Sequence, residues 1–162
     1  MKVLIYGYGN PGRQDDGLGN AFVNRIEEWV EEQRLQDFFF DSNYQLNIED
    51  ADAISDKDLV IFVDASKEED LDGFCVSKVD QSAKVAFTTH AASPGYVVNL
   101  CRRIYKEAPP VFLMHIRGYE WDFREGLTEK ANQNLVKALD YFKEKIADSK
   151  IKSEPEILEK AC

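Results

Sequence analysis

The sequence predicts an α/β fold: a three-layer α/β/α sandwich with a mostly parallel, twisted sheet and helices on both faces. Three observations carry that expectation. Short apolar runs bounded by turn residues recur along the chain, as in strands covered on both faces. Stretches with apolar residues at i, i+3 and i+4 fall between them. The 162 residues, 44% of them hydrophobic, are enough for one packed core; a chain of about 150 residues buries roughly 68–70% of its unfolded surface.

Val3-Leu4-Ile5-Tyr6 reads as the first strand. The glycine-rich residues 7–19 turn it into a helix with the apolar stripe Leu18, Phe22, Ile26, Trp29 and Val30, and Glu27, Glu28, Glu31 and Glu32 mostly on its wet side. Phe38-Phe39-Phe40 opens a second strand reaching toward Leu46. Asn47 followed by Asp50 marks a short helical piece ending near Ile54. Leu59-Val60-Ile61-Phe62-Val63 is the strongest strand. Residues 73–79 alternate, Phe74 and Val76 against Cys75 and Ser77, which is the pattern of an edge strand. Residues 84–88 form a further short strand. Ser93-Pro94 supplies an N-cap and a proline at the first helical position, opening a helix with Val97, Leu100, Cys101 and Ile104 inward. Residues 111–116 close the strand set, and Thr128 caps a last helix with Ala131, Leu135, Ala138, Leu139, Phe142 and Ile146 on one face. One α/β domain is expected over residues 1–147. Beyond it charge rises and apolar spacing weakens, so residues 148–162 are expected to be a charged, flexible tail.

A net charge of −10 argues against nucleic acid and against an anionic membrane, since both select basic patches. It suits a partner that is neutral, basic or metal-bearing. Cys75, Cys101 and Cys162 are odd in number, far apart and without a C-x-x-C pair, which argues against a disulfide scaffold and against a thiolate metal site. The first residues run straight into a strand pattern without the apolar region of a signal peptide. No apolar run reaches the ~20 residues needed to span a bilayer, so a cytoplasmic location is expected.

Gly7, Gly9 and Gly12, after a strand and before a helix, match the spacing of a dinucleotide fingerprint, with Asp41 placed like a ribose-binding acid. Three residues oppose that reading. Pro11 has no N–H to offer a phosphate. Asp15 and Asp16 occupy the helix start where an anion docks. Two carboxylates within a few Å of a pyrophosphate repel it by several kcal/mol. The turn fits a cation better.

In an open α/β sheet, ligands gather outside the carboxyl ends of the strands. Asp16 lies in the turn after the first strand, Asp64 ends the strongest strand, and His90 directly precedes the Ser93-Pro94 helix start. These form a mixed O/O/N set suited to nickel, zinc or manganese with open positions for another ligand. Plainer roles stay open. Asp15 and Asp16 serve equally as helix caps, a role Asp15 can fill while Asp16 ligates. Asp64 can be a turn residue, His90 a surface histidine, and residues 119–122 a connecting loop. His115, inside a strand, reads as a packed, hydrogen-bonded side chain. No G-x-S-x-G elbow, H-E-x-x-H helix or reactive-cysteine setting is present.

The stretch G-Y-G-N-P-G-R-Q-D-D-G-L-G at residues 7–19 resembles the N-terminal signature of the nickel–iron hydrogenase maturation proteases. The resemblance continues through Val60-Ile61-Phe62-Val63-Asp64-Ala65, Thr88-Thr89-His90, residues 116–123 and Glu125-Gly126-Leu127-Thr128, covering about residues 2–146. It implies a peptidase-like domain and an aspartic-type endopeptidase that removes the C-terminal extension of the hydrogenase large-subunit precursor after nickel insertion, recognising the bound nickel. By motif position the family's metal contacts fall on Asp16, Asp64 and His90, which would also be the catalytic set. The implied metal is nickel supplied by the precursor, with none firmly bound in the isolated protein, and the implied partner is that precursor. Asn10, Arg13, Tyr119, Glu120 and Asp122 are expected beside the substrate groove. Water activation by the metal and by a carboxylate base both stay open. So do two other functions: a non-catalytic metal-recognising adaptor and a nucleotide-binding α/β protein.

Overall fold

The structure is a computed structural model that describes residues 1–81 and 92–162. His90 and the expected strand at residues 84–88 lie outside the described residues. Among the described residues one sheet contains β1 (Val3–Tyr8), β2 (Phe38–Asn43), β3 (Leu59–Ser66), β4 (Phe74–Lys78) and β5 (Val111–Arg117). Its order is β2-β1-β3-β5-β4, parallel except for β4, which runs antiparallel to β5 at one edge.

Because side chains alternate across a strand, the sheet feeds two cores. Ile5, Ile61, Val63 and Met114 pack on one face against α1 (Leu18–Glu32) and α4 (Glu129–Ala147), through Phe22, Ile26, Leu135 and Phe142. Phe22 meets Phe142 edge-on with centroids 5.6 Å apart, joining the two helices. Leu4, Tyr6, Val60 and Phe62 pack on the other face against α2 (Asp50–Ser55) and α3 (Pro94–Tyr105), through Ile54, Val97, Val98 and Cys101. The result is a three-layer α/β/α sandwich. β3 is dry on both faces, as its unbroken apolar run requires. The caps fall where side-chain chemistry places them: Ser93 accepts from the Tyr96 N–H and Thr128 from the Ala131 N–H.

Four expectations change. β2 stops at Asn43 and is the other edge strand, so its phenylalanines are only half covered and Phe39 is 42% exposed. The buried stripe of α3 runs through Val97, Val98 and Cys101 with Leu100 partly buried against it, which leaves Ile104 turned toward solvent. Cys75 and Cys162 form a disulfide, leaving Cys101 free and buried. Finally, residues 148–162 pack on the sheet edge rather than trailing as a flexible tail. Two 3-10 turns, Ser149–Lys152 and Pro155–Leu158, bury Ile151 and Leu158 in the α1/α4 core. Tyr141 Oη donates to the carbonyls of Leu158 and Glu159, and Lys78 pairs with Glu156 at 3.0 Å. Ile151, Leu158 and the partly buried Ile157 anchor this segment, too few apolar residues to leave a periodic signal. No helix among the described residues is long and apolar enough to cross a membrane.

Candidate functional site

The chain leaves β1 toward β2 on one side and returns to β3 on the other, so the order of strands reverses between β1 and β3. In open α/β sheets the crevice at such a switch point is where ligands bind. Asp16 and Asp64 flank it. After Tyr8 the chain turns sharply at Gly9 (φ 145°), where a Cβ would stand 2.0 Å from the Asp16 carbonyl oxygen. Only glycine allows that approach. Asn10 then caps the 3-10 turn Pro11–Gly17 by accepting from the Gly12 N–H at 2.9 Å, and its own N–H donates to Asp16 Oδ2 at 2.8 Å. Backbone thus holds the Asp16 carboxylate in place. Gly19, at the start of α1, would put a Cβ 2.3 Å from the Val63 carbonyl oxygen, so this helix presses on β3 one residue before Asp64.

Gly7 pairs with Val63 across β1 and β3, so Tyr8 and Asp64 follow side by side. The Tyr8 hydroxyl donates to Asp64. Burial pushes the Asp64 carboxyl up to about 7, and the negative charge of Asp16 adds to that rise. Burial and the neighbouring Asp64 push the Tyr8 phenol up, which keeps it a donor. The negative charge of Asp16 thus reaches Asp64 at the crevice.

Asp15 does something else. It is fully buried and accepts from the N–H groups of Tyr119 (2.7 Å), Glu120 (3.1 Å) and Thr128 (2.8 Å) and from Thr128 Oγ1 (2.8 Å). It fastens the 118–128 loop and the start of α4 rather than capping α1. Gln14, at a positive φ of 47°, accepts from the Asp122 N–H at 3.1 Å and donates to Glu120 Oε2 at 3.3 Å. The Arg13 guanidinium lies 4.7 Å from the Phe123 ring centroid, and its Nε donates to the Trp121 carbonyl at 3.4 Å. Trp121 also packs under Gly118 and carries Lys67 Nζ 5.0 Å from its ring. Arg13, Glu120 and Asp122 are thus gathered around this junction, with Asn10 at the turn itself. The Tyr119 ring sits between Arg117 and Lys130, and its hydroxyl accepts from Asn134 at 3.0 Å.

His115 is the register partner of Asp64 on β5, yet its imidazole shares a separate cavity of about 250 Å³ with Glu68, Asp70, Ser66 and the disulfide. Burial lowers its pKa, partly opposed by Glu68. Among the described residues no group of three or more His, Cys, Asp or Glu side chains is arranged to hold a metal ion. Sequence reasoning missed Tyr8, Gln14 and the true role of Asp15. Tyr8 was reachable in principle: its parity with Leu4 and Tyr6 places it on their face, beside the end of the neighbouring strand.

The architecture belongs to a class of small α/β proteins represented by solved [NiFe] hydrogenase maturation proteases. HycI from Thermococcus kodakarensis superposes with a TM-score of 0.72 at 20% identity, over 91% of this chain and 93% of that one. HybD from Escherichia coli gives 0.67 at 17% identity over 92% and 94%. A hydrogenase 2 maturation peptidase from a Thaumarchaeota archaeon gives 0.63 at 21% identity over 90% and 98%. At these identities the likeness establishes the fold. No protein-family model and no curated protein matches the sequence.

Proposed function

We propose that the chain is an endopeptidase that removes the C-terminal extension of a nickel–iron hydrogenase large-subunit precursor after nickel insertion, reading the bound nickel. The observation that carries this reading is the electrostatic influence of Asp16 on Asp64 beside the switch point, with Asp64 pushed up to about 7 by burial and then by that acidic neighbour. Two acids kept together in a half-dry crevice are relieved by a cation, and perturbed carboxyls in a cleft mark functional sites. The fold shared with solved hydrogenase maturation proteases supports the same reading. So does the long resemblance of residues 7–19.

In this proposal the nickel arrives with the substrate. Asp16 and Asp64 offer it oxygen ligands, and His90 is assigned the third position from its place in the motif alone. Hydrolysis needs an acceptor for the proton of the attacking water. Activation of that water by the metal and by a carboxylate base both fit this proposal, with the Tyr8 hydroxyl orienting the Asp64 carboxyl. The isolated protein is expected to hold no metal firmly, and the reaction is read as cytoplasmic.

The test is to incubate the protein with a nickel-loaded precursor and weigh the precursor by mass spectrometry. Loss of a C-terminal peptide is expected, and Asp16→Asn, Asp64→Asn and His90→Ala are each expected to abolish it while keeping the fold. Processing at full rate by Asp16→Asn or His90→Ala would overturn metal reading. Tight binding without any mass loss would favour the adaptor instead.

A further inference from the structure

The disulfide and the cavity beside it take no part in the carboxylate pair, yet they lie on the same face of the sheet as Asp64. As an outer strand, β4 presents a row of backbone groups that can template another strand. Here this chain's own segment covers that row. The Lys160 N–H donates to the Val76 carbonyl at 2.9 Å, and the Val76 N–H donates back at 3.0 Å. Lys160 Nζ donates to the Phe74 carbonyl at 2.9 Å and lies 4.8 Å from the Phe74 ring centroid. The disulfide then ties Cys162 to Cys75 on the same strand. Cys75 is buried while Cys162 is exposed.

Register carries this edge to the crevice. Cys75 pairs with His115, and His115 pairs with Asp64, so the three lie on one rung and one face of the sheet. At ~4.8 Å per strand, a peptide paired outside β4 runs about 14 Å from Asp64, a gap that four or five extended residues cross at ~3.3 Å each. The cavity of His115, Ser66, Glu68, Asp70 and the disulfide lies along that path. Its two acids favour a basic or neutral side chain in transit.

We infer that the outer edge of β4 is the docking strand for the extended C-terminal segment of the protein substrate, and that the Cys75–Cys162 disulfide holds the residues around Lys160 there as a removable occupant. The inference rests on the protease reading above. Docking is strand addition, in which main-chain hydrogen bonds supply affinity without fixing sequence. Removal is thiol–disulfide exchange with a dithiol reductant. A thiolate of the reductant attacks the exposed Cys162 sulfur, the Sγ–Sγ bond breaks, and Cys75 leaves as a thiolate that takes up a proton. The reductant's second thiol resolves the mixed disulfide, leaving two protein thiols and one oxidised dithiol. Without the covalent tie, the residues around Lys160 hold β4 through one backbone pair and the Lys160 side chain, while Glu156 on Lys78, buried Leu158 and the Tyr141 hydroxyl keep the preceding turn anchored.

The experiment compares the full chain oxidised and reduced with dithiothreitol. Hydrogen exchange of the Val76 amide is expected to quicken on reduction by about tenfold or more beyond the general rise shared by β1 and β3, which follows the loss of global stability. Processing of a nickel-loaded precursor is expected to be about tenfold faster for the reduced protein and for Cys162→Ser than for the oxidised protein, because the occupant no longer competes. Val76→Pro removes the outward-facing N–H together with a buried valine side chain, and, compared with Val76→Ala as the packing control, is expected to raise KM with kcat preserved. Val76 exchange that rises no more than that of β1 and β3 overturns the occupant. Faster exchange with equal processing overturns the docking strand and leaves the protease reading standing. Faster exchange with no processing by either form overturns the protease reading, and docking with it.

Discussion

Asp64 illustrates how one residue sets a pH response. Its folded value of about 7 stands above the ordinary 3.8, so the folded protein binds this proton more tightly than the unfolded chain does. The resulting stability is fully present below about pH 4 and is lost as pH rises through 7, a swing on the order of 4 kcal/mol. Asp64→Asn should therefore stabilise the free protein at pH 8 and bring no gain near pH 4, as thermal melts across that range would show. Wild-type and variant melts that stay parallel would refute the burial of this carboxyl. Its neighbour Asp15 serves structure. Truncating it to Ala strands three N–H donors at 118–128, and each buried unmatched donor costs about 1–3 kcal/mol. Urea midpoints should fall further for Asp15→Ala than for Asp16→Ala. The sequence distinguished these adjacent acids only in part. Strand-end position picked out Asp16 and Asp64, but nothing near Asp15 announces partners more than a hundred residues away.

Among elements, the contact of α1 with β3 governs the crevice. Gly19 is the closest point, and a methyl group there meets backbone rather than a movable side chain. Gly19→Ala should cost about 1–3 kcal/mol by overpacking, read from denaturant midpoints, despite alanine's better helix propensity. A neutral or stabilising result would mean the helix can shift away from Val63 freely. Elements with strong periods were legible. β3 declared itself by its apolar run, and α4 by a stripe that the structure buries from Ala131 to Phe142. β2 was overrun because three phenylalanines imitate a two-faced strand at what is in fact an edge. The segment after α4 was unreadable for the opposite reason: Ile151, Ile157 and Leu158 are too few to leave a period.

At the scale of the molecule, the disulfide closes a loop of 87 residues between Cys75 and Cys162. Restricting the unfolded chain over that span is worth about 4.6 kcal/mol in the chain-entropy account. Reduction should lower Tm by roughly 10 °C in a domain of this size. Calorimetry with and without a dithiol checks this, and an unchanged Tm would show that the unfolded chain is not meaningfully constrained. Fold class was legible because alternation of strands and helices leaves few layered solutions. The cross-link was hidden because cysteine spacing does not state which sulfurs meet.

Trp121 gives the docked 118–128 loop an optical consequence. The sequence has two tryptophans, and this one lies under Gly118, bonded through its carbonyl to Arg13 and roofed by Lys67, while Trp29 sits on α1 beside Lys143. In a Trp29→Phe background, its fluorescence becomes a built-in reporter of whether the loop stays seated when a precursor arrives.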